Sequence, residues 1–314
     1  MTAPASVAPP PRTLLIAAFA TIYVVWGSTY LAIRWVVEGA PPFLMASIRF
    51  AIAGALLYGW SRWRTGERPT REHWRNAAII GAMLLGVGNG AVSWAVQHVP
   101  SGIASLVISA TPLWLVILQR VGPMQRQPSM AELAGVGIGL AGVALLVLPT
   151  GGRGTGPHLI DSLGAVVLLV GCLSWAAGSL FARSAVLPRT PTMGPAMQML
   201  TASVLLFVVA AVHGDLAGFD ITRVRAVAWW SLLYLVVAGS LLGFTAFSWL
   251  MRVASPTLVG TYAYVNPVVA VILGVLLGGE VLPARAVLAT VVIVSGVALV
   301  SLAPWLALRK RSAV

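Results

Sequence analysis

The chain has 314 residues, 59% hydrophobic and 9% charged, with a mean hydropathy of +0.92 and a formal net charge of +12. Soluble domains carry about 25% charged residues, so this composition excludes a water-soluble fold and points to a polytopic membrane protein. The positive balance comes from 19 Arg and one Lys spread over short loops, which reads as membrane topology rather than a nucleic-acid surface.

Taken in order, residues 1–12 (MTAPASVAPPPR) are Pro- and Ala-rich and are expected to be disordered. They lack a basic segment followed by a short apolar core and a cleavage site, so the first apolar run is expected to be a true span. Runs long enough to cross a bilayer fall near 13–34, 43–60, 76–97, 101–120, 130–149, 161–183, 193–213, 227–250, 256–278 and 284–305. The expectation is an all-α membrane protein of ten transmembrane helices. A Gly-rich linker is expected at 150–160 and a basic C-terminal tail at 306–314.

Span one carries Tyr23, Trp26 and Tyr30. Span two carries Arg49, six residues inside its apolar run. An Arg near mid-bilayer costs roughly 2.5–3.5 kcal/mol on insertion scales. It is therefore either a gate or substrate contact or a structural cap, and both readings stay open. Span three has Asn89, Ser93 and Trp94, with Gly86 and Gly90 allowing close helix approach.

In span four, Ser101, Ser105, Ser109 and Pro112 recur on one face, with Thr111 before the proline. Span six repeats an aromatic and hydroxyl pair as Trp175 and Ser179, span seven holds Gln198, and span eight has Thr245 and Trp249. Span nine carries Thr261, Tyr264 and Asn266 ahead of Pro267. Pro112 and Pro267 each leave a carbonyl free at membrane depth, which is tolerated where it lines a cavity or meets a polar neighbour. All these polar and aromatic residues are candidates for a substrate cavity, and the two prolines are candidate kinks. The alternative for any single Ser or Thr is helix packing alone.

The chain also says the same thing twice. At an offset of 155, Ser93-Trp94 becomes Ser248-Trp249, Pro112 becomes Pro267, Pro128 becomes Pro283 and Leu133-Ala134 becomes Leu288-Ala289. Trp26 and Arg34 match Trp175 and Arg183 at an offset of 149, which makes Gln198 the equivalent of Arg49. Two units, 13–149 and 161–305, follow. With an N-terminus inside, fourteen Arg and Lys fall in inner segments and five in outer ones. Both termini are then cytoplasmic in a bacterial inner membrane. Five spans per unit is an odd number, so the second unit must be inverted, the arrangement that underlies alternating access.

Several functions are disfavoured. Glu132, Asp161 and Glu280 all sit at span ends, so no intramembrane carboxylate marks a coupling ion or a cationic substrate. Neutral, amphipathic or carboxylate-bearing solutes fit better. His73, His98, His158 and His213 lie in or beside loops without ligand spacing, and Cys172 is alone. No H-E-x-x-H, P-loop or G-x-S-x-G occurs. Neither enzymatic activity, metal nor cofactor is expected; the partners are a small-molecule solute and the lipid bilayer. The rival readings are import of a metabolite, a membrane-embedded enzyme acting on lipid, and a receptor or scaffold without transport.

The segments WGSTYLAIRW (26–35), SIRFAIAGALL (47–57), SWAVQHVPSGIASLVISATPLW (93–114), ELAGVGIGLAGVALLVL (132–148), YAYVNPVVAVILGVLLGGE (262–280) and VSGVALV (294–300) resemble the EamA branch of the drug/metabolite transporter superfamily, of the YedA-like exporter kind. The resemblance covers nearly the whole chain. It implies a ten-helix inner-membrane carrier exporting amino acids, metabolites or toxic compounds. It also implies a Gly-Glu pair after spans four and nine. Gly279-Glu280 supplies the second, whereas the first unit reads Gly122-Pro123-Met124-Gln125 and lacks the acid.

Overall fold

The computed structural model describes residues 11–121, 127–147, 162–217, 219–254, 256–281 and 283–312. Residues 1–10, the 150–160 linker, Gly122–Gln125 and the side chain of Tyr264 lie outside the described set. Among the described residues there is no strand. In chain order the main helical stretches are α1 (Arg12–Val37), α2 (Pro42–Thr65), α3 (Arg71–Ala95), α4 (Ser101–Arg120) and α5 (Met130–Val147). They continue with α6 (Ser162–Ser184), α7 (Met193–His213), α8 (Ala226–Val253), α9 (Tyr262–Leu276) and α10 (Ala284–Ser312).

Seven of these, α1–α4 and α6–α8, are long and apolar enough to cross a membrane. The apolar parts of α5, α9 and α10 are shorter: Met130–Leu145, Val265–Leu276 and Ala284–Val300. Helix α10 continues to Ser312, beyond the point where the sequence ends its apolar run.

The ends are set by local chemistry. Pro42 opens α2, where its missing N–H is not needed, and Gly66 closes it at φ +66, a conformation that a Cβ would oppose. Thr70 and His73 form a reciprocal cap on α3. Ser129 and Glu132 do the same on α5, with Ser129 N–H donating to Glu132 Oε2 at 2.7 Å. Glu132 is buried there.

Helix pairing follows small residues. The most extensive contacts join α5 to α10 and α2 to α7. A Cβ on Gly135 would lie 2.6 Å from the Gly296 carbonyl, and one on Gly142 would lie 2.6 Å from Ile293 Cγ1, so these backbones touch directly. Helix α1 packs on α8 and α9, while α6 packs on α3 and α4.

Three of the central helices are not regular. Helix α1 has a π-helical turn at Thr21–Val25, α3 at Ala82–Asn89 and α8 at Leu235–Phe244. Such turns loosen the carbonyl ladder and redirect side chains. Helix α4 is interrupted at Ser109-Ala110, and Pro112 stands in the first turn of its second piece, Thr111–Val121. There the missing N–H breaks no bond. Before α9, a single turn (Pro256–Val259) is separated from the helix by Gly260-Thr261, and Pro267 lies inside the helix proper. The two prolines thus act differently: one restarts a broken helix, the other sits within a continuous one.

Candidate functional site

The loosened helices meet around a cavity of about 70 Å³. Its wall takes Trp26, Thr29, Tyr30 and Ile33 from α1, Arg49 and Phe50 from α2, and Leu85, Asn89 and Val92 from α3. Ile108 and Thr111 come from α4, Cys172 and Trp175 from α6, Gly239 and Phe244 from α8, and Tyr262 and Asn266 from α9. Among the described residues, helices α5, α7 and α10 contribute nothing to it.

The π-helical turns explain how polar groups reach this wall. Asn266, oriented by its surroundings, donates to the Tyr23 carbonyl at 3.0 Å, to Ile22 at 3.1 Å and to Tyr262 at 3.2 Å. The first two carbonyls belong to the wide turn of α1. Trp26 Nε1 donates to the Gly239 carbonyl at 3.2 Å, within the wide turn of α8. Thr29 and Thr111 return their hydroxyls to Trp26 and Ile108 of their own helices. Asn89 ends the wide turn of α3, and its buried Oδ1 has no hydrogen-bond partner.

Arg49 is buried, at 5% exposure. Its Nε donates to Ser240 Oγ at 2.9 Å, and its guanidinium lies 4.9 Å from the Phe50 ring centroid. Gly239 makes room for it, since a Cβ there would meet Arg49 Nη2 at 2.8 Å.

An aromatic cluster lines one side of the cavity. Trp26 meets Trp175 edge-on at 5.7 Å and Tyr262 edge-on at 5.5 Å, and Phe247 packs on all three rings. Beyond it lies a second cavity of about 30 Å³ that shares Thr111, Trp175 and Tyr262 with the first. It runs past Ser179 to Gln119, Arg183 and Met251, in the last turns of α4, α6 and α8.

The opposite end of the cavity is tied shut by ions. Arg34 Nη1 meets Glu280 Oε1 at 2.6 Å, Arg34 Nε meets Glu38 at 3.3 Å, and Arg225 meets Glu38 at 2.8 Å. Glu280 also receives the Ser101 N–H and hydroxyl and the Gly102 N–H, which caps the first turn of α4. Burial opposes its ionisation. The bonds from the Ser101 hydroxyl, the Gly102 and Ser101 amides and Arg34 outweigh that, and hold the carboxyl below the usual carboxylate range.

Of the residues singled out from the sequence, Trp26, Tyr30, Arg49, Asn89, Thr111, Trp175 and Asn266 face the central cavity. Ser179 lines the second cavity, and Gln198 a third beside Arg183 and Arg252. Tyr23 and Thr261 bond each other through their hydroxyls. Ser109 turns back to the Leu106 carbonyl, and Ser93 bonds the Asn89 carbonyl. Trp94 stacks on His98 and borders an apolar groove between α3, α6 and α7. Trp249, partly buried, packs against the core shared by α1, α2, α3, α7 and α8, and the Thr245 hydroxyl is buried without a partner. Sequence reasoning passed over Thr29, Phe50, Cys172, Phe244, Phe247 and Tyr262. Cys172 falls opposite Tyr23 at the 149 offset and Phe244 opposite Asn89 at the 155 offset, so repetition could have flagged these two; Thr29, Phe50, Phe247 and Tyr262 fall opposite Gly178, Met199, Val92 and Val107, and it could not.

A model described as the EamA-like transporter family matches residues 13–148 and again residues 162–302. The chain is 40% identical over 294 residues to the "Uncharacterized inner membrane transporter YedA" of Escherichia coli strain K12, covering 93% of this chain and 92% of that one. It is 30% identical over 287 residues to the "Probable terminal-alkyne amino-acid exporter" of Streptantibioticus cattleyicolor, covering 88% and 90%. A solved crystal structure of 21% sequence identity superposes with a TM-score of 0.64 over 93% of this chain and 98% of the other, which shows a shared fold. The chain therefore belongs to the EamA-like transporter family, within the drug/metabolite transporter superfamily and on its YedA-like side.

Proposed function

We propose that this protein exports small organic solutes, of the size of amino acids and their metabolites, from the cytoplasm across the inner membrane by alternating access. The observation that carries this reading is the central cavity. It is walled by helices from both family-matched segments, shut at one end by the Arg34–Glu280 link, and continued at the other by a second cavity.

The pattern of packing supports two inverted five-helix repeats, α1–α5 and α6–α10. A two-fold relation between them requires contacts to come in matched pairs. The pairing of α1 with α8 is matched by α6 with α3, and that of α1 with α9 by α6 with α4. Helices α2 and α7, and α5 and α10, pair with their own equivalents. Trp26 and Trp175, equivalent by repeat, touch across this relation. With fourteen Arg and Lys in inner segments against five in outer ones, both termini are cytoplasmic and the Arg34–Glu280 end faces outward. The described state is then closed to the outside, with its path leading inward. The names of relatives as an inner membrane transporter and as an amino-acid exporter agree with location and direction.

The test is counterflow in proteoliposomes, with a panel of labelled amino acids, acylated amino acids and organic acids. Preloaded solute should accelerate uptake of the labelled solute by at least one member. A folded, reconstituted protein that moves none of them would return the chain to the scaffold reading.

A further inference from the structure

We propose that the central cavity selects organic anions: a solute carboxylate is held by Arg49, its apolar or aromatic body lies against Trp26, Trp175 and Tyr262, and a free ammonium group is not recognised. The inference rests on the reading of this cavity as the solute site, and adds the chemical class of the solute.

Arg49 sits in an apolar helix and lines the cavity, yet no described carboxylate lies within ion-pair distance of it. The described ion pairs all involve acids at helix ends or in loops. Its one hydrogen bond, to Ser240, uses Nε and leaves both Nη groups without a described hydrogen-bond partner. Buried Arg is normally paired, because an isolated charge in a low-dielectric interior is expensive. A planar guanidinium with its terminal N–H groups free matches a carboxylate in a two-pronged contact.

The rest of the wall decides what else the solute carries. Among the described residues no Asp or Glu lines the cavity, so an ammonium group would be buried without a counter-charge. Broad aromatic faces surround the remaining space. The same wall holds a buried acceptor, Asn89 Oδ1, and a buried donor, Trp175 Nε1, without hydrogen-bond partners. An amide, which carries both a donor and an acceptor, matches them without a charge. The fitting class is an amphipathic monocarboxylate, including amino acids whose amine is acylated or removed. Gly239 is the positioning residue, because a side chain there would push the Arg49 head from its place.

Four probes of one shape separate these terms: N-acetyltryptophan, N-acetyltryptophanamide, tryptophan and tryptamine, titrated calorimetrically into the full chain in lipid nanodiscs. N-acetyltryptophan is expected to bind at least about tenfold tighter than its amide, with tryptamine weakest. Arg49→Gln should remove the acid-over-amide preference while leaving amide affinity within about twofold, and Arg49→Lys should keep part of the preference. Gly239→Ala should weaken the acid selectively. Retained amide binding shows that each variant is folded.

Equal affinity of acid and amide in the parent protein, no binding of the acid, tightest binding of tryptamine, or an unchanged acid-over-amide preference in Arg49→Gln would each overturn the proposal. Flux is read separately. Acid-selective binding without counterflow of any solute would uphold the anion site and sink the transport reading. Counterflow of other solutes without acid selectivity would do the reverse.

Discussion

Glu280 serves three partners with two oxygens. Oε1 accepts from Arg34 Nη1 at 2.6 Å and from the Ser101 N–H and hydroxyl at 2.7 and 2.6 Å, and Oε2 accepts from Gly102 N–H at 3.0 Å. It fastens the loop after α9 to the end of α1 and the start of α4. Replacing it by Gln keeps the shape, removes the charge and leaves Arg34 with Glu38 alone, a partly exposed partner. Glu280→Gln should therefore lower stability by about 2 kcal/mol, read as a fall in melting temperature in detergent. The pH dependence has a definite sign. A carboxyl whose folded pKa lies below its unfolded value, near 4.3, contributes fully above that value and loses its contribution as pH falls through the folded one. The parent's advantage over Glu280→Gln should be constant from pH 8 to about 5 and shrink below about 4. An advantage that grows on acidification would contradict this assignment.

Helices in this protein meet where side chains are missing, and that can be checked on one helix. On α5, Gly135 faces the Gly296 carbonyl at a would-be Cβ distance of 2.6 Å, while a Cβ on Gly137 would meet nothing within 4 Å. Gly135→Ala must force α5 and α10 apart and should cost about 1–3 kcal/mol. Gly137→Ala should be neutral or slightly stabilising, since Gly in a helix is about 0.5–1 kcal/mol worse than Ala. Paired melting curves decide it, and equal effects at both positions would reject the packing. The wide turn in α1 gives a second check. Asn266→Ala leaves the Ile22 and Tyr23 carbonyls without their donor, and should cost about 1–3 kcal/mol. The loss should appear as faster amide exchange confined to the first half of α1.

These elements also show what a sequence can and cannot reveal. The apolar runs appear as helices close to their expected limits, because length and hydropathy are local properties. Trp26 and Trp175 stood out by repetition and do meet in the cavity wall. Trp94 and Trp249 stood out by the same logic, yet one stacks on His98 and the other packs against the core. Repetition marks equivalent positions, and the direction a side chain takes depends on its helix phase. That phase is shifted by the π-helical turns of α1, α3 and α8, which follow from packing and have no compositional signature.

At the scale of the whole molecule, the cavity has one tied end and one continued end. The ions Arg34, Glu38, Arg225 and Glu280 hold α1, α4 and α8 together at the first. A different set joins the other end. Glu67 accepts from the Arg189 and Thr190 N–H groups, Asn76 donates to the Val186 carbonyl, and Ser61 and Thr192 share a hydrogen bond. Transport by alternating access requires the first set to break when the second cavity closes. The central claim is therefore about access, and it can be read at Thr29, a cavity-wall residue 8% exposed. In a Cys172→Ala background, Thr29→Cys should be labelled by a membrane-impermeant maleimide from the cytoplasmic side in the parent protein. Adding Arg34→Gln should raise labelling from the outer side several-fold. Labelling confined to one side in both proteins would contradict the account.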